Sequence, residues 1–211
     1  MKSFLSVTAL FLITPAWAGL DESITRLQSE WEQIKYKQPA DKHEKAYEAL
    51  TKDAAAVRVE HPDRSEADIW YAIALASQAG AKGGLGALSL AREARTVLEQ
   101  SLARNPEALN GSAYVTLSSL YCQVPGWPIG FGDKKKADEL MQSALKLNPQ
   151  GIDPNFFYGE FLLEQKRPAD ALAYLERALQ APARPGRQIA DAGRRDEARE
   201  LIEKARAQLA R

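Results

Sequence analysis

Two stretches of the sequence follow the same pattern, ARTVLEQSLARNP at residues 94–106 and ADELMQSALKLNP at residues 137–149. In both, small or apolar residues are separated by steps of four and three, and a proline follows five residues later. Steps of three and four place side chains on one face of a helix, and proline ends it. A third stretch, ALAYLERALQAP at residues 171–182, keeps the two steps and brings its proline one residue earlier. The sequence therefore predicts a repeated helical unit.

The composition agrees with an all-α fold. The 211 residues include 35 Ala, against 21 Val, Ile and Thr combined, which favours helix over sheet. The 28 basic and 28 acidic residues balance, so no overall charge attracts the chain to nucleic acid or to an anionic membrane. We predict an all-α solenoid of about four helix pairs.

The first eighteen residues have the layout of a secretory signal peptide. Met1-Lys2 provides a positive start, residues 4–13 are apolar, and Ala16-Trp17-Ala18 matches a small-x-small cleavage site. The apolar run is too short for a membrane-spanning helix. We expect cleavage between Ala18 and Gly19, and a mature chain located in a bacterial periplasm, where the lone Cys122 has no partner in its own chain. A buried, inert thiol is one interpretation of Cys122, and an exposed thiol that pairs between molecules is the other.

The repeated pattern resembles the tetratricopeptide repeat (TPR). In that family a small residue on the first helix packs against a small residue on the second, and Gly159 and Ala171 have the twelve-residue separation that this contact requires. The resemblance predicts repeat units at residues 20–62, 65–106, 110–149 and 153–182. An irregular loop at 182–193 and a C-terminal capping helix at 195–210 are expected to complete the domain, since terminal repeats need a polar cap.

Two units carry extra residues between their helices, GAKGGLG at 80–86 and PGWPIGFGD at 125–133. Insertions in a solenoid usually lie on one face, often the binding face, and we expect these two to border the concave groove. Irregular helix pairs behind an export signal are similar to the periplasmic T-component proteins associated with TRAP-type transporters. That resemblance implies a ligand-binding or docking subunit.

Five residues are candidates for binding a partner or ligand. Trp127 and Phe131 lie on the second insertion, where rigid aromatic side chains suit an apolar anchor, and packing alone is the alternative interpretation. Arg184 and Arg187 suit a polar clamp for a carboxylate or phosphate, or else belong to a solvated connector. Tyr158 belongs to an aromatic cluster that is either core or the edge of a groove.

Motifs for catalysis are missing from the sequence. His43 and His61 do not have the spacing of a metal site, and the glycines of residues 80–86 do not form a phosphate-binding loop. We therefore expect no enzyme, no cofactor and no metal. The predicted function is recognition of a protein partner in the cell envelope, and the alternative is a small-molecule binding protein associated with a transporter.

Overall fold

The computed structural model describes residues 16–210, with side chains for residues 19–84 and 86–210. Nine α-helices and two short 3-10 turns, at 40–42 and 108–111, follow one another, and no strand occurs between residues 16 and 210, which confirms the predicted all-α class. The helices are α1 (Ala16–Lys37), α2 (His43–Glu60), α3 (Ser65–Lys82), α4 (Gly84–Arg104), α5 (Ser112–Gln123), α6 (Lys134–Leu147), α7 (Ile152–Glu164), α8 (Pro168–Gln180) and α9 (Gln188–Leu209).

The helices are arranged as a solenoid of four pairs, α1/α2 to α7/α8, with α9 as a single last helix. Each helix packs against the next one in the chain, and the first helices of successive pairs also contact one another. Three clusters of buried apolar side chains, one after another along the solenoid, form the core. This architecture confirms the predicted α-solenoid.

Small residues allow the two helices of a pair to approach closely. A Cβ atom added at Gly159 would lie 2.6 Å from Cγ of Leu175 and 3.3 Å from the carbonyl oxygen of Ala171. In the preceding pair, the buried Ser118 hydroxyl donates a hydrogen bond of 2.7 Å to the carbonyl oxygen of Ala137. Larger side chains at these positions would separate the helices, so this small-residue contact positions each pair.

The first insertion is shorter than the sequence predicts. Helix α3 continues to Lys82 and α4 begins at Gly84, so only Gly83 separates the two helices. Gly83 and Gly84 have φ angles of 65° and 63°, which glycine adopts without strain. The other residues of 80–86 belong to the two helices, because the sharp turn at Gly83 and Gly84 is enough to connect α3 to α4.

The C-terminal helix is longer than the sequence predicts. Helix α9 begins at Gln188 and not at residue 195, which shortens the predicted loop at 182–193. Gly193 lies inside this helix, where its missing side chain leaves room for the ring of Tyr36 on α1. At the other end, the predicted signal peptide falls on residues 1–15, outside the described residues, and on 16–18, the first residues of α1. No helix between residues 16 and 210 combines the length and the apolar character needed to cross a membrane.

Candidate functional site

The two ends of the solenoid contact each other, because α9 packs against α1. The Glu32 carboxylate on α1 accepts a hydrogen bond of 3.1 Å from the backbone N–H of Ala190. The Tyr36 hydroxyl donates to Oε2 of Glu197 at 3.1 Å, and the Lys35 ammonium lies 3.2 Å from Oε1 of the same carboxylate. These contacts join residues about 160 positions apart in the chain and partly enclose the concave face.

A cavity of about 880 Å³ lies inside this closure. It is lined by the first helices of the four pairs, by the start of α2, by α9, and by the connection that precedes α9. Aromatic side chains form much of its wall: Trp31, Tyr36, Tyr47, Trp70, Phe156 and Phe157. Of the two insertions, the first contributes Gly80 and Ala81, whereas the second does not reach the cavity, so the prediction that both insertions border the groove is half wrong.

Arg184, one of the two predicted clamp residues, lines the cavity but is already engaged. Its guanidinium contacts Asp153 at 2.6 Å and Asp191 at 2.7 Å. Asp153 also accepts from Arg194 at 3.1 Å, and the Arg194 guanidinium lies over the ring of Phe156. Burial disfavours the Asp153 carboxylate, but the two arginines outweigh that effect and hold its pKa below the ordinary value. This network fixes the connection between α8 and α9.

Arg187, the other predicted clamp residue, lines the same cavity with its charge only partly compensated. Its side chain is 12% exposed, Nε lies 3.5 Å from Glu32, and that nitrogen has no hydrogen-bond partner of good geometry. The guanidinium lies 5.6 Å from the ring centre of Trp70. Burial and the like charge of Arg184 lower the pKa of Arg187, although Asp153 and Glu32 oppose this. A mostly buried cation whose one nearby carboxylate lies at 3.5 Å favours a further anion beside it.

Glu160 supplies a negative charge to the cavity wall. Burial raises the pKa of its carboxyl group, the Arg194 guanidinium opposes the rise, and the carboxylates of Glu164 and Glu197 add to it. The cavity therefore combines an aromatic wall with charged groups of both signs. This arrangement is suited to binding, since polar groups that fix orientation project into a partly enclosed space with aromatic walls.

Trp127 and Phe131 lie outside the cavity, on the second insertion. Phe131 packs on the ring of Tyr121 at 5.4 Å, and the guanidinium of Arg95 on α4 lies 4.6 Å from its ring centre. Trp127 is 90% exposed. The insertion folds back on α4, the second helix of the preceding pair α3/α4. Trp127 and Phe131 therefore do not lie in the same site as Arg184 and Arg187. Phe131 serves packing, the alternative interpretation of the sequence.

Tyr158 is a core residue. It is 4% exposed, its ring is stacked on that of Phe161, and its hydroxyl donates to Oδ1 of Asp138 at 2.9 Å. Burial and this hydrogen bond raise the pKa of Tyr158 to about 12. The side chain contacts the second helices α6 and α8 and does not line the cavity, because successive residues of a helix point about 100° apart, so Phe157 faces the cavity and Tyr158 faces the second helices.

Cys122 is half-buried and belongs to a small polar cluster. Its Sγ lies 3.1 Å from the Glu164 carboxylate and 3.2 Å from the Lys134 ammonium. Burial and the carboxylate raise the pKa of the Cys122 thiol to about 11, although Lys134 opposes the rise. The thiol is therefore protonated at neutral pH, in agreement with the interpretation of an inert cysteine.

Nothing in the described part of the chain resembles a metal site. Between residues 16 and 210, no three His, Cys, Asp or Glu side chains are grouped as metal ligands. His43 has its Nε2 3.0 Å from the carbonyl oxygen of Gln38. The residues of the cavity that the sequence analysis missed, such as Tyr36 and Trp70, carry no local motif; they come from different helices and meet only in the folded chain.

Comparisons with known proteins support the fold. Neither the models of known protein families nor the curated proteins include a match to this chain. Among solved structures, the chain is similar to TTC0263, a thermophilic TPR protein of Thermus thermophilus, with 22% identity and a TM-score of 0.58 over 89% of this chain and 91% of that one. A crystal structure of MamA matches with 18% identity and a TM-score of 0.42 over 83% of this chain and 96% of that one. The likeness to TTC0263 confirms that the chain has a TPR-like fold.

Proposed function

We propose that the protein is a non-catalytic binding protein of the bacterial cell envelope, and that its concave cavity receives a segment of a partner protein. The predicted export signal supports the location. The TPR-like solenoid supports a binding role, since stacked helix pairs create extended concave surfaces that such proteins use for recognition. A component of a transporter is the partner that the resemblance to T-component proteins suggests.

The observation that carries the proposal is the state of Arg187 in the cavity. Arg184 and Arg194 donate hydrogen bonds to Asp153 and to neighbouring carboxylates. The buried Nε of Arg187, in contrast, has no acceptor of good geometry. A carboxylate of the partner, from an acidic side chain or a chain terminus, would pair with the Arg187 guanidinium from the cavity side and gain charge-assisted hydrogen bonds with its terminal nitrogens. The neighbouring rings would contact the apolar part of the same segment.

Site-specific photo-crosslinking in the periplasm tests the proposal. A photoreactive amino acid at Thr116 or Ser119, both on the cavity wall, should capture one partner protein, identified by mass spectrometry. The same group at Gln100, exposed on α4, is the matched control and should not capture it. Arg187→Ala should abolish the crosslink, whereas Arg199→Ala, an exposed arginine of α9, should leave it unchanged. Equal capture from Gln100, or a crosslink that survives Arg187→Ala, would contradict the proposal.

A small molecule that bears a carboxylate on an apolar body is the second candidate for the cavity. Its volume of about 880 Å³ favours this alternative, since small-molecule sites typically measure about 300–1,000 Å³. Native mass spectrometry of the protein purified from the periplasm distinguishes the two. A bound small molecule that disappears in Arg187→Ala, together with no protein crosslink from Thr116, would assign the cavity to a ligand and not to a partner segment.

A further inference from the structure

The second insertion, residues 125–133, exposes two large apolar side chains close together. Trp127 is 90% exposed and Ile129 is 62% exposed. Apolar side chains of this size rarely remain in water as neighbours unless they contact another molecule. We call Trp127, Pro128 and Ile129 the apolar tip.

The backbone that carries the apolar tip is tightly packed. The N–H of Gly132 donates to the carbonyl oxygen of Pro125 at 3.0 Å, and the N–H of Asp133 donates to that of Tyr121 at 2.9 Å. A Cβ atom at Gly132 would lie 1.9 Å from the carbonyl oxygen of Val124, which no side chain can accommodate. Together with the packing of Phe131 described above, these contacts fix the base of the insertion. The tip is therefore held outward, which lowers the entropic cost of docking.

Three cations follow the apolar tip closely in the chain. Lys134, Lys135 and Lys136 form the first turn of α6, which contains no acidic residue. Cations are unfavourable at a helix N-terminus, because the helix dipole places partial positive charge there, so the dipole does not account for three lysines in this turn. Lys134 pairs with Glu164 and Lys136 lies 3.9 Å from Glu139, but Lys135 contacts no carboxylate within ion-pair distance in the described part of the chain.

A further cation comes from α4. The guanidinium of Arg92 reaches the carbonyl oxygen of Ile129 at 3.4 Å, next to the apolar tip, and makes no ion pair with a described carboxylate. The whole chain has no net charge, whereas residues 125–136 contain three lysines and one aspartate. The tip thus combines an exposed indole with a local excess of positive charge.

We propose that the apolar tip docks on the surface of an anionic lipid bilayer. An indole is favoured at the boundary between head groups and acyl chains, and lysines and arginines beside it are attracted by anionic head groups. The charge complementarity favours this partner, since a bilayer offers apolar depth and negative charge at the same surface. The docking involves none of the cavity residues and is independent of the function proposed for the cavity.

Sedimentation with lipid vesicles tests this proposal. The full chain should bind vesicles of phosphatidylglycerol and phosphatidylcholine in equal parts, and bind pure phosphatidylcholine vesicles much more weakly. Trp127→Ala should lower the affinity at least about ten-fold, because the indole carries most of the apolar contact. Val59→Ala, which removes another exposed apolar side chain (79% exposed), is the matched control and should have no effect.

Lys135→Glu separates the electrostatic contribution from folding. One cation at an anionic surface corresponds to about a five-fold change in affinity, so reversal of one charge should lower affinity about 25-fold. The same substitution should not destabilise the protein, because an acidic residue is favoured in the first turn of a helix. High salt should weaken the binding of the parent chain in the same direction.

Fluorescence gives a local measurement, because the apolar segment 4–13 could itself bind lipid. Subtracting the tryptophan emission spectrum of Trp127→Phe from that of the parent chain gives the emission of Trp127. The maximum of this emission should shift to shorter wavelength when anionic vesicles are added. Equal vesicle binding by Trp127→Ala and the parent chain, without such a shift, would overturn the proposal. The proposal would also be overturned if vesicle binding did not depend on Trp127 while binding to a protein partner required it. The tip would then fit a protein pocket.

Discussion

Gly193→Ala tests whether the contact between α9 and α1 closes the cavity. A Cβ atom at this position would lie 2.3 Å from both Cδ1 and Cε1 of Tyr36. The Tyr36 ring cannot easily move away, because its hydroxyl is bonded to Glu197 and its edge packs on Trp31 with ring centres 6.0 Å apart. The substitution should therefore push the two helices apart.

The expected magnitude follows from two opposing effects. Overpacking of a close contact costs about 1–3 kcal/mol. Replacement of glycine by alanine inside a helix contributes about 0.5–1 kcal/mol of stability in the opposite direction. Gly80 is the matched control: it lies inside α3, and a Cβ atom there would meet nothing within 4 Å. Gly193→Ala should thus be less stable than Gly80→Ala by about 1–3 kcal/mol.

Urea denaturation followed by circular dichroism at 222 nm measures both variants. Gly80→Ala should raise the free energy of unfolding, and Gly193→Ala should lower it. In a Tyr36→Ala background the ring is gone, so the two glycine substitutions should have the same effect. If Gly193→Ala stabilises the protein as much as Gly80→Ala does, α9 does not close on α1 as described, and the enclosed cavity would be wrong.

Three further predictions concern the cavity wall and the core. Asp153→Asn should destabilise the protein by about 2–3 kcal/mol at neutral pH, because it removes the carboxylate that Arg184 and the buried Arg194 share and leaves Arg194 paired with Glu197 only. The folded state lowers the pKa of Asp153, so the stability that this carboxylate contributes is present above the ordinary value of 3.8 and is lost as the pH falls through the folded-state pKa. The difference in free energy of unfolding between the variant and the parent chain should therefore shrink as the pH is lowered through that range. Gly159→Ala should cost about 1–3 kcal/mol by thermal unfolding, since its Cβ would lie 2.6 Å from Leu175; a neutral effect would contradict the close approach of α7 and α8. Tyr158→Phe should cost about 1 kcal/mol through its lost hydrogen bonds and leave crosslinking from the cavity unchanged, and a lost crosslink would return this residue to the site.

The sequence located most helices because their signals are local. The small residues at 159 and 171, with proline after the second helix, predicted a helix pair and its tight contact, and both are present. Asp133 caps α6 by accepting hydrogen bonds from the N–H groups of Lys135 and Lys136, a role that an aspartate directly before an apolar stripe favours. Such features depend only on neighbours within a few residues.

The candidate site was predictable only in part. Arg184 and Arg187 were selected as arginines on a connection between helices, and both line the cavity. Their different states were not predictable, because the Asp153 carboxylate that engages Arg184 lies 31 residues away in the chain and the Trp70 ring beside Arg187 belongs to α3. Trp127 was selected for its unusual loop, but the direction in which that loop folds depends on its packing against α4.

The sequence by itself determined the all-α class, the helix pairs and their order, because helix periodicity, small contact residues and helix-ending prolines act over one or two turns. Only the tertiary structure decided that the solenoid closes on itself. Gly193 is a helix breaker by local rules, yet it lies inside α9, because the helix gains a close contact with Tyr36 that outweighs its poor propensity. A contact across 157 positions of the chain leaves no local pattern, and the cavity that it encloses exists only when both ends meet.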